Sequence, residues 1–296
     1  MAFRHPGIKC PGSVIPGTIA VLRTPVTLPF VLILLPPSEG KAAAGRGRPV
    51  DLDSLSLPEL TPARAKVLDA LVDLCGDADR TDEAMTVLGL SASQRGEVER
   101  DARLRNAPTL PAARLYTGVL YDALDLASLG PAQRRRAQRY LLICSGLWGA
   151  VRLRDRIPPY RCSMTVRLPG VGALGAFWRE SMPAAITGAA GRGLVLDLRS
   201  SAYATAWTPT GEVAGRTATV RVLQETRPGD PSSRTVVSHF NKATKGRLVR
   251  DLLNGDDNPR RPNDLVDVLR ALGYQVEAER PERGRPWQLD VVVASV

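Results

Sequence analysis

Residues 140–168 read Tyr-Leu-Leu-Ile-Cys-Ser-Gly-Leu-Trp-Gly-Ala-Val-Arg-Leu-Arg-Asp-Arg-Ile-Pro-Pro-Tyr-Arg-Cys-Ser-Met-Thr-Val-Arg-Leu. An apolar segment ends in two glycines, Gly146 and Gly149, which flank Leu147 and Trp148. Arg152, Arg154 and Arg156 follow as a short basic run, and Pro158-Pro159 stiffen the chain before Tyr160 and Arg161. Glycine lets backbone N–H groups approach an anion closely, and arginine supplies charge and a donor fork. Two readings fit. One is a phosphate grip formed where an apolar helix meets a glycine turn. The other is a buried helix end followed by a solvated basic loop. The residues alone leave both open.

Working outward, Gly130-Pro131 opens a helix expected to run through Ile143, with Arg134, Arg135, Arg136 and Arg139 on its face. Cys162 to Leu168 alternates apolar and polar residues, the pattern of a half-buried strand. Val31 to Leu35 is a continuous apolar run stopped by Pro36-Pro37, which suits a fully buried strand. Thr61 can cap a helix whose first position suits Pro62, and Val67, Leu68, Leu71 and Leu74 recur at helical spacing. Further helices are expected over 81–88, 91–105, 173–186, from about 241 to Leu253, and over 262–272. Strands are expected at 193–198, 217–224 and 235–240, and 273–278 with 287–293 reads as a hairpin-like pair. This order predicts one mixed α/β domain over 31–296 with a helical insertion at roughly 60–145. Residues 1–30 carry scattered Pro and Gly without periodicity and are expected to form a disordered extension.

The chain has 296 residues, 44% hydrophobic but only 5% aromatic, so its core must be built mainly from Leu, Val and Ala. A formal net charge of +10 favours polyanion partners such as nucleic acid or nucleotides. The four cysteines form no Cys-x-x-Cys pair and there are only two histidines, which argues against a zinc site and a disulfide framework. No metal or cofactor is expected, and a reduced, cytoplasmic setting fits best. No segment reaches the ~18 apolar residues of a membrane span. Val26 to Leu35 is interrupted by Pro29 and reads as a strand rather than an export signal.

Gly40-Lys41 after a strand invites a P-loop reading, but Leu35 stands where the first glycine belongs and Ala42 replaces the Ser or Thr that would hold magnesium. Ser38-x-x-Lys41 matches a serine β-lactamase pattern whose partner motifs are missing from the chain. What survives is Ser38, Glu39 and Lys41 at a strand end, where open sheets tend to build ligand sites. Ser200-Ser201-x-Tyr203 and Ser238-His239-x-Asn241-Lys242 repeat the arrangement. Three such strand ends could converge on one polar, anion-binding cleft, whereas each taken separately is a common helix cap or turn. Ser38, Tyr203 and His239 are the catalytic candidates, with His239 suited to general-base work. Lys242, Lys245 and Arg247 open a helix, where their charge opposes the macrodipole. An anion held between them would relieve that conflict.

Together these blocks resemble the peroxide stress protein YaaA family. The resemblance rests on Leu-Leu-Pro-Pro-Ser-Glu-Gly-Lys (34–41), Leu-Tyr-Thr-Gly-x-x-Tyr (115–121) and Ser-Gly-Leu-Trp-Gly-x-x-Arg-x-x-Asp-x-Ile-x-Pro-Tyr-Arg (145–161). It rests also on Phe-Trp (177–178), Leu-Asp-Leu-x-Ser-x-x-Tyr (196–203) and Ser-His-x-x-Lys-x-x-x-Gly (238–246). The chain departs from the family pattern at Glu39, at Lys245 and at Cys162-Ser163-Met164-Thr165. The resemblance implies a single compact α/β fold of unusual topology with a mixed sheet, a positively charged cleft and a helix-hairpin-helix-like element at Ser145–Gly149. It implies DNA binding, in a role limiting peroxide and iron damage; contact through phosphates is expected, since nothing in the sequence resembles a base-reading recognition helix. Carried onto this chain, the phosphate-binding candidates are Lys41, Gly146, Gly149, Arg152, Arg161, Lys242, Lys245 and Arg247. The alternative is an enzyme acting on a nucleotide or nucleobase-like small molecule in a polar pocket at the strand ends. A scaffold protein with scattered basic residues is the third reading.

Overall fold

The computed structural model describes Met1 and residues 31–43, 46–227, 229–236, 238–279, 281–282 and 284–294, with only the backbone described at 238–240 and 294. The extension expected at 1–30 lies outside the described residues except for Met1.

An eight-stranded mixed sheet organises the chain. Its strands are β1 (Val31–Leu35), β2 (Leu141–Ser145), β3 (Gly149–Arg152), β4 (Leu194–Asp197), β5 (Thr217–Glu225), β6 (Arg234–Val236), β7 (Gln275–Glu279) and β8 (Trp287–Ala294). In space they run β7-β8-β5-β4-β1-β2-β3, with β6 pairing β5. The five inner strands are mutually parallel, while β3, β6 and β7 run antiparallel to their neighbours. Every residue of β1, β2 and β4 is buried. That is why these segments read as unbroken apolar runs: a parallel strand covered on both faces has no polar face to show.

Between β1 and β2 lies the helical insertion: α1 (Thr61–Gly76), α2 (Thr81–Leu88), α3 (Arg95–Asp101), α4 (Val119–Leu124) and α5 (Pro131–Tyr140). Later come α6 (Met182–Ala190), α7 (Ser238–Asn254) and α8 (Pro262–Ala271). Thr61 does not cap α1. It is the first helical residue, after Leu60, and its hydroxyl reaches Leu52 O. The helix expected to run through Ile143 stops at Tyr140, and Leu141–Ser145 is strand β2 in register with β1 (Ile33 beside Leu141, Leu35 beside Ile143). A five-residue apolar run does not distinguish a buried strand from a buried helix end; pairing with β1 decides it. Two further expectations change. Within Cys162–Leu168 only Arg167-Leu168 is strand, pairing Gly172-Ala173, and the strand expected over 235–240 ends at Val236 as α7 takes over.

The exposed backbone of an edge strand is normally a liability, and here Arg64 of α1 closes it. Fully buried, Arg64 donates from Nε to Trp148 O at 3.1 Å and from Nη2 to Ala150 O at 2.7 Å, with further bonds to Ser56 O and Leu57 O. Burial pulls its pKa down to about 10, and the nearby Asp155 carboxylate opposes that shift. Asp155 accepts from Ser56 N and Oγ and from Arg152 N, tying the far end of β3 to the same edge.

Candidate functional site at the strand ends

The chain leaves β1 for β2 on one side and leaves β4 for β5 on the other, while β1 and β4 are neighbours. In an open parallel sheet this reversal leaves a crevice at the carboxyl ends of the two strands, the usual place for a ligand. The segments after Leu35, Ser145 and Asp197 all emerge at that edge.

After β1 the turn 36–41 is pinned to the insertion. Ser38 Oγ donates to Gly40 O at 2.6 Å and accepts from Thr117 N–H at 3.2 Å, and Ala42 N–H donates to Leu115 O at 2.8 Å. Lys41 therefore lies alongside Tyr116. Its Nζ donates to Ser38 O at 2.9 Å and Glu39 O at 3.4 Å. The same Nζ sits 4.4 Å from the centre of the Tyr160 ring and 5.7 Å from that of Tyr116, positions a cation favours. Beneath it runs a chain of hydroxyls: Tyr116 OH to Tyr160 OH at 3.0 Å, and Tyr160 OH to Ser145 Oγ at 2.6 Å. Tyr121 stacks on Tyr116 with centroids 5.5 Å apart and donates its hydroxyl to Pro36 O at 2.7 Å. Burial pushes the Tyr116, Tyr121 and Tyr160 phenols well above their ordinary range and Tyr203 up to about 12. All four act as neutral hydrogen-bonding groups.

Asp101, from α3, is fully buried and takes the Arg161 N–H on both carboxyl oxygens, at 3.0 and 3.3 Å. Burial raises its pKa to about 8 despite that bond. Arg161 reaches on to Glu39, Nη2 to Oε2 3.0 Å, a pair whose acidic partner is exposed. Burial lowers the Lys41 pKa to about 8, with the Arg161 charge adding to the effect and Asp101 and Glu97 opposing it.

At the end of β4, Asp197 and Arg199 form a buried bidentate pair, Nη2 to Oδ2 2.6 Å and Nε to Oδ1 2.9 Å. Arg199 also donates to Tyr203 O and Trp207 O and lies over the Trp207 ring. It holds the loop after β4 rather than presenting a free charge. Lys245, buried on α7, donates to Leu198 O at 3.3 Å; burial lowers its pKa and Asp197 opposes the shift. Gly246 lets α7 lie against α4, since a Cβ there would stand 2.2 Å from Leu120 O.

The candidates thus separate. Lys41, Ser38, Arg161 and Tyr203 gather at the strand ends, with Ser38 spent on local turn bonds. Lys245 is inside the same edge but committed to a carbonyl, while Lys242 and Arg247 are exposed along α7. The His239 side chain lies outside the described residues. Gly146 and Gly149 are buried, and Ser145–Gly149 joins β2 to β3 as a β-hairpin where a helix-hairpin-helix-like element was expected. A Cβ on Gly146 would stand 2.6 Å from Cys162 O; on Gly149, which has φ +68°, it would stand 2.6 Å from the Trp178 ring. Both glycines are buried and packed closely against their neighbours. Arg152 is not with Lys41 at all. It pairs with Leu142 at the start of β2, the opposite edge of the sheet, and its Nη1 donates to Arg139 O at 2.8 Å and Leu141 O at 3.4 Å.

Asp101 and the pairing of Tyr116 with Tyr160 are not among the site residues that the sequence singles out. A signal for Asp101 exists: it falls at three-residue spacing between apolar Val98 and Leu104, both buried, where a carboxyl is out of place. Among the described residues no group of three or more His, Cys, Asp or Glu gathers to hold a metal, and no helix is long and apolar enough to cross a membrane. A surface depression of about 610 Å³ along α3, lined by residues including Arg100, Arg103 and Asn106, is lined by none of the strand-end residues.

The chain is thus a mixed α/β domain with a lysine-bearing polar cluster at its strand-order reversal. The family model described as peroxide stress protein YaaA matches residues 31–280, and the chain belongs to that family. It is 62% identical over 268 residues to a UPF0246 protein of Streptomyces coelicolor, covering 90% of this chain and 100% of that one. It is 41% identical over 267 residues to a UPF0246 protein of Corynebacterium efficiens, covering 89% and 100%. An uncharacterized protein of Campylobacter jejuni is 28% identical over 218 residues, 73% of this chain and 82% of that one.

Proposed function

We propose that this chain serves the peroxide stress response by binding a small phosphate-bearing ligand of the nucleotide class at the strand-end site. The observation that carries this reading is the placement of Lys41. Its ammonium lies over the Tyr160 and Tyr116 rings at the crevice, with Arg161 close enough to perturb its charge. A half-buried lysine and arginine at the carboxyl ends of parallel strands suit a compact anion better than the broad face of a duplex. The three free thiols among the described residues, Cys75, Cys144 and Cys162, are in keeping with a cytoplasmic setting.

DNA binding through phosphates is the second reading. It draws support from the net charge of +10 and from the exposed Lys242 and Arg247. It draws none from Gly146, Gly149 or Arg152, which are committed to packing and to carbonyls. A thermal-shift series with AMP, GMP, CMP and UMP tests the first reading. A ligand at one hundred times its Kd should stabilise the fold by about 2.7 kcal/mol. A melting temperature unmoved by every mononucleotide at millimolar concentration, beside tight duplex binding, would favour DNA.

A further inference from the structure

We propose that Lys41 is a carbonyl-reactive amine, and that the strand-end site accepts ligands carrying an aldehyde or ketone together with a phosphate. This rests on the reading of that site as an anion-binding crevice and adds a reaction to it. Four observations support it. First, Lys41 Nζ has no carboxylate within ion-pair distance among the described residues; its hydrogen bonds go to the carbonyls of Ser38 and Glu39. Second, the Asp101 and Glu39 carboxylates are both turned to Arg161: Asp101 takes its backbone N–H and Glu39 its guanidinium. Third, Arg161 is half-buried and its acidic partner Glu39 is exposed, so an incoming phosphate can displace that pair. Fourth, the Tyr116–Tyr160–Ser145 hydroxyl chain gives the buried side of the amine a rigid, uncharged floor. Burial and the Arg161 and Arg100 charges ease the ammonium's loss of its proton, and Asp101 and Glu97 resist it.

The reaction is imine formation. The neutral Nζ lone pair attacks the carbonyl carbon as the C=O π bond breaks, and the oxygen takes up a proton while nitrogen loses one. The carbinolamine then expels water and the C=N bond forms, so that amine and carbonyl give imine and water without any change of oxidation state. A lysine whose ammonium is destabilised by burial and a neighbouring cation is the recognised form of such a nucleophile.

The chain has five lysines, Lys9, Lys41, Lys66, Lys242 and Lys245, so site mapping is clean. The full chain is exposed briefly to pyridoxal 5′-phosphate at pH 7.5, reduced with borohydride, digested and mapped by mass spectrometry. The adduct should form at Lys41 faster than at the exposed Lys66 and Lys242 by about tenfold or more, and the preference should vanish in urea. Lys41→Arg, which keeps a cation over the tyrosines, should melt as the wild type does and lose the selective adduct. Labelling of Lys41 no faster than of Lys66 and Lys242 overturns the proposal, whatever Lys41→Arg does. AMP binding measured on the same samples separates the two claims. AMP binding without selective labelling removes this proposal alone. Selective labelling without mononucleotide binding removes the nucleotide reading alone, and absence of both removes both.

Discussion

Replacing Gly149 by alanine separates a glycine that grips phosphate from one that only turns the chain. Gly149 has φ +68°, so any side chain there costs about 1–2 kcal/mol of left-handed strain. The new Cβ would also stand 2.6 to 3.0 Å from three carbons of the Trp178 ring. Trp178 is fully buried and donates from Nε1 to Gly146 O at 2.8 Å, so its ring cannot swing away without breaking that bond. Overpacking of this kind costs about 1–3 kcal/mol. The sum, about 2–5 kcal/mol, corresponds to a fall in Tm of roughly 3–8 °C for a chain of this size. Urea unfolding followed by tryptophan fluorescence, with the slope m unchanged, gives the loss directly. Ligand affinity of the remaining folded protein should stay within about twofold, because Gly149 is closed off from the crevice by its own packing. A Gly149→Ala protein with an unchanged urea midpoint and a lost ligand would refute the packing role and restore the phosphate grip.

Arg64→Met should destabilise the fold by about 3–5 kcal/mol in urea unfolding, since it leaves the Trp148 and Ala150 carbonyls and Asp155 without their buried cation; a loss below about 1 kcal/mol would show the edge is closed by other means. Asp101→Asn should gain stability relative to wild type as pH rises from 4 to 8. The folded carboxyl, held near pKa 8, keeps a proton that the unfolded one loses near 4, so wild type weakens across that window by up to about 1.4 kcal/mol per pH unit. A difference between the two proteins that stays flat with pH would contradict the raised pKa. Lys41 works in the opposite sense. Its folded pKa of about 8 lies below the unfolded value of 10.5, so its stability penalty, present below pH 8, is relieved above it and should be missing from Lys41→Gln. If a duplex binds, its affinity should fall steeply between 50 and 200 mM salt, with a shallower slope in Lys242→Ala; a slope unchanged by Lys242→Ala would remove that residue from the phosphate contacts.

Much of the fold is legible because a buried parallel strand leaves an unbroken apolar run. Val31–Leu35 and Leu194–Asp197 announce themselves that way, and their terminal turns name the right edge of the sheet. Leu141–Ser145 does not, because the same run directly follows a helix and only its partner β1 makes it a strand. That one exchange alters the site. With Ser145–Gly149 as a β-hairpin, its glycines turn inward against Trp178 and the Cys162 carbonyl, and Arg152 lands at the opposite edge from Lys41. The arginines mislead for a general reason. Arg64, Arg136, Arg152, Arg199, Arg216 and Arg250 all hold backbone carbonyls, so an arginine-rich composition here measures loop anchoring as much as surface charge. The Asp101–Arg161 contact spans sixty positions, and no local pattern specifies it.

Calorimetric titration of wild type and Lys41→Gln with the four mononucleotides tests the strand-end site most directly. At least one mononucleotide should bind the wild type, and Lys41→Gln should weaken it by about tenfold or more, the worth of one charge-assisted contact. Equal affinity in the two proteins, or heat from none of the four, would contradict it.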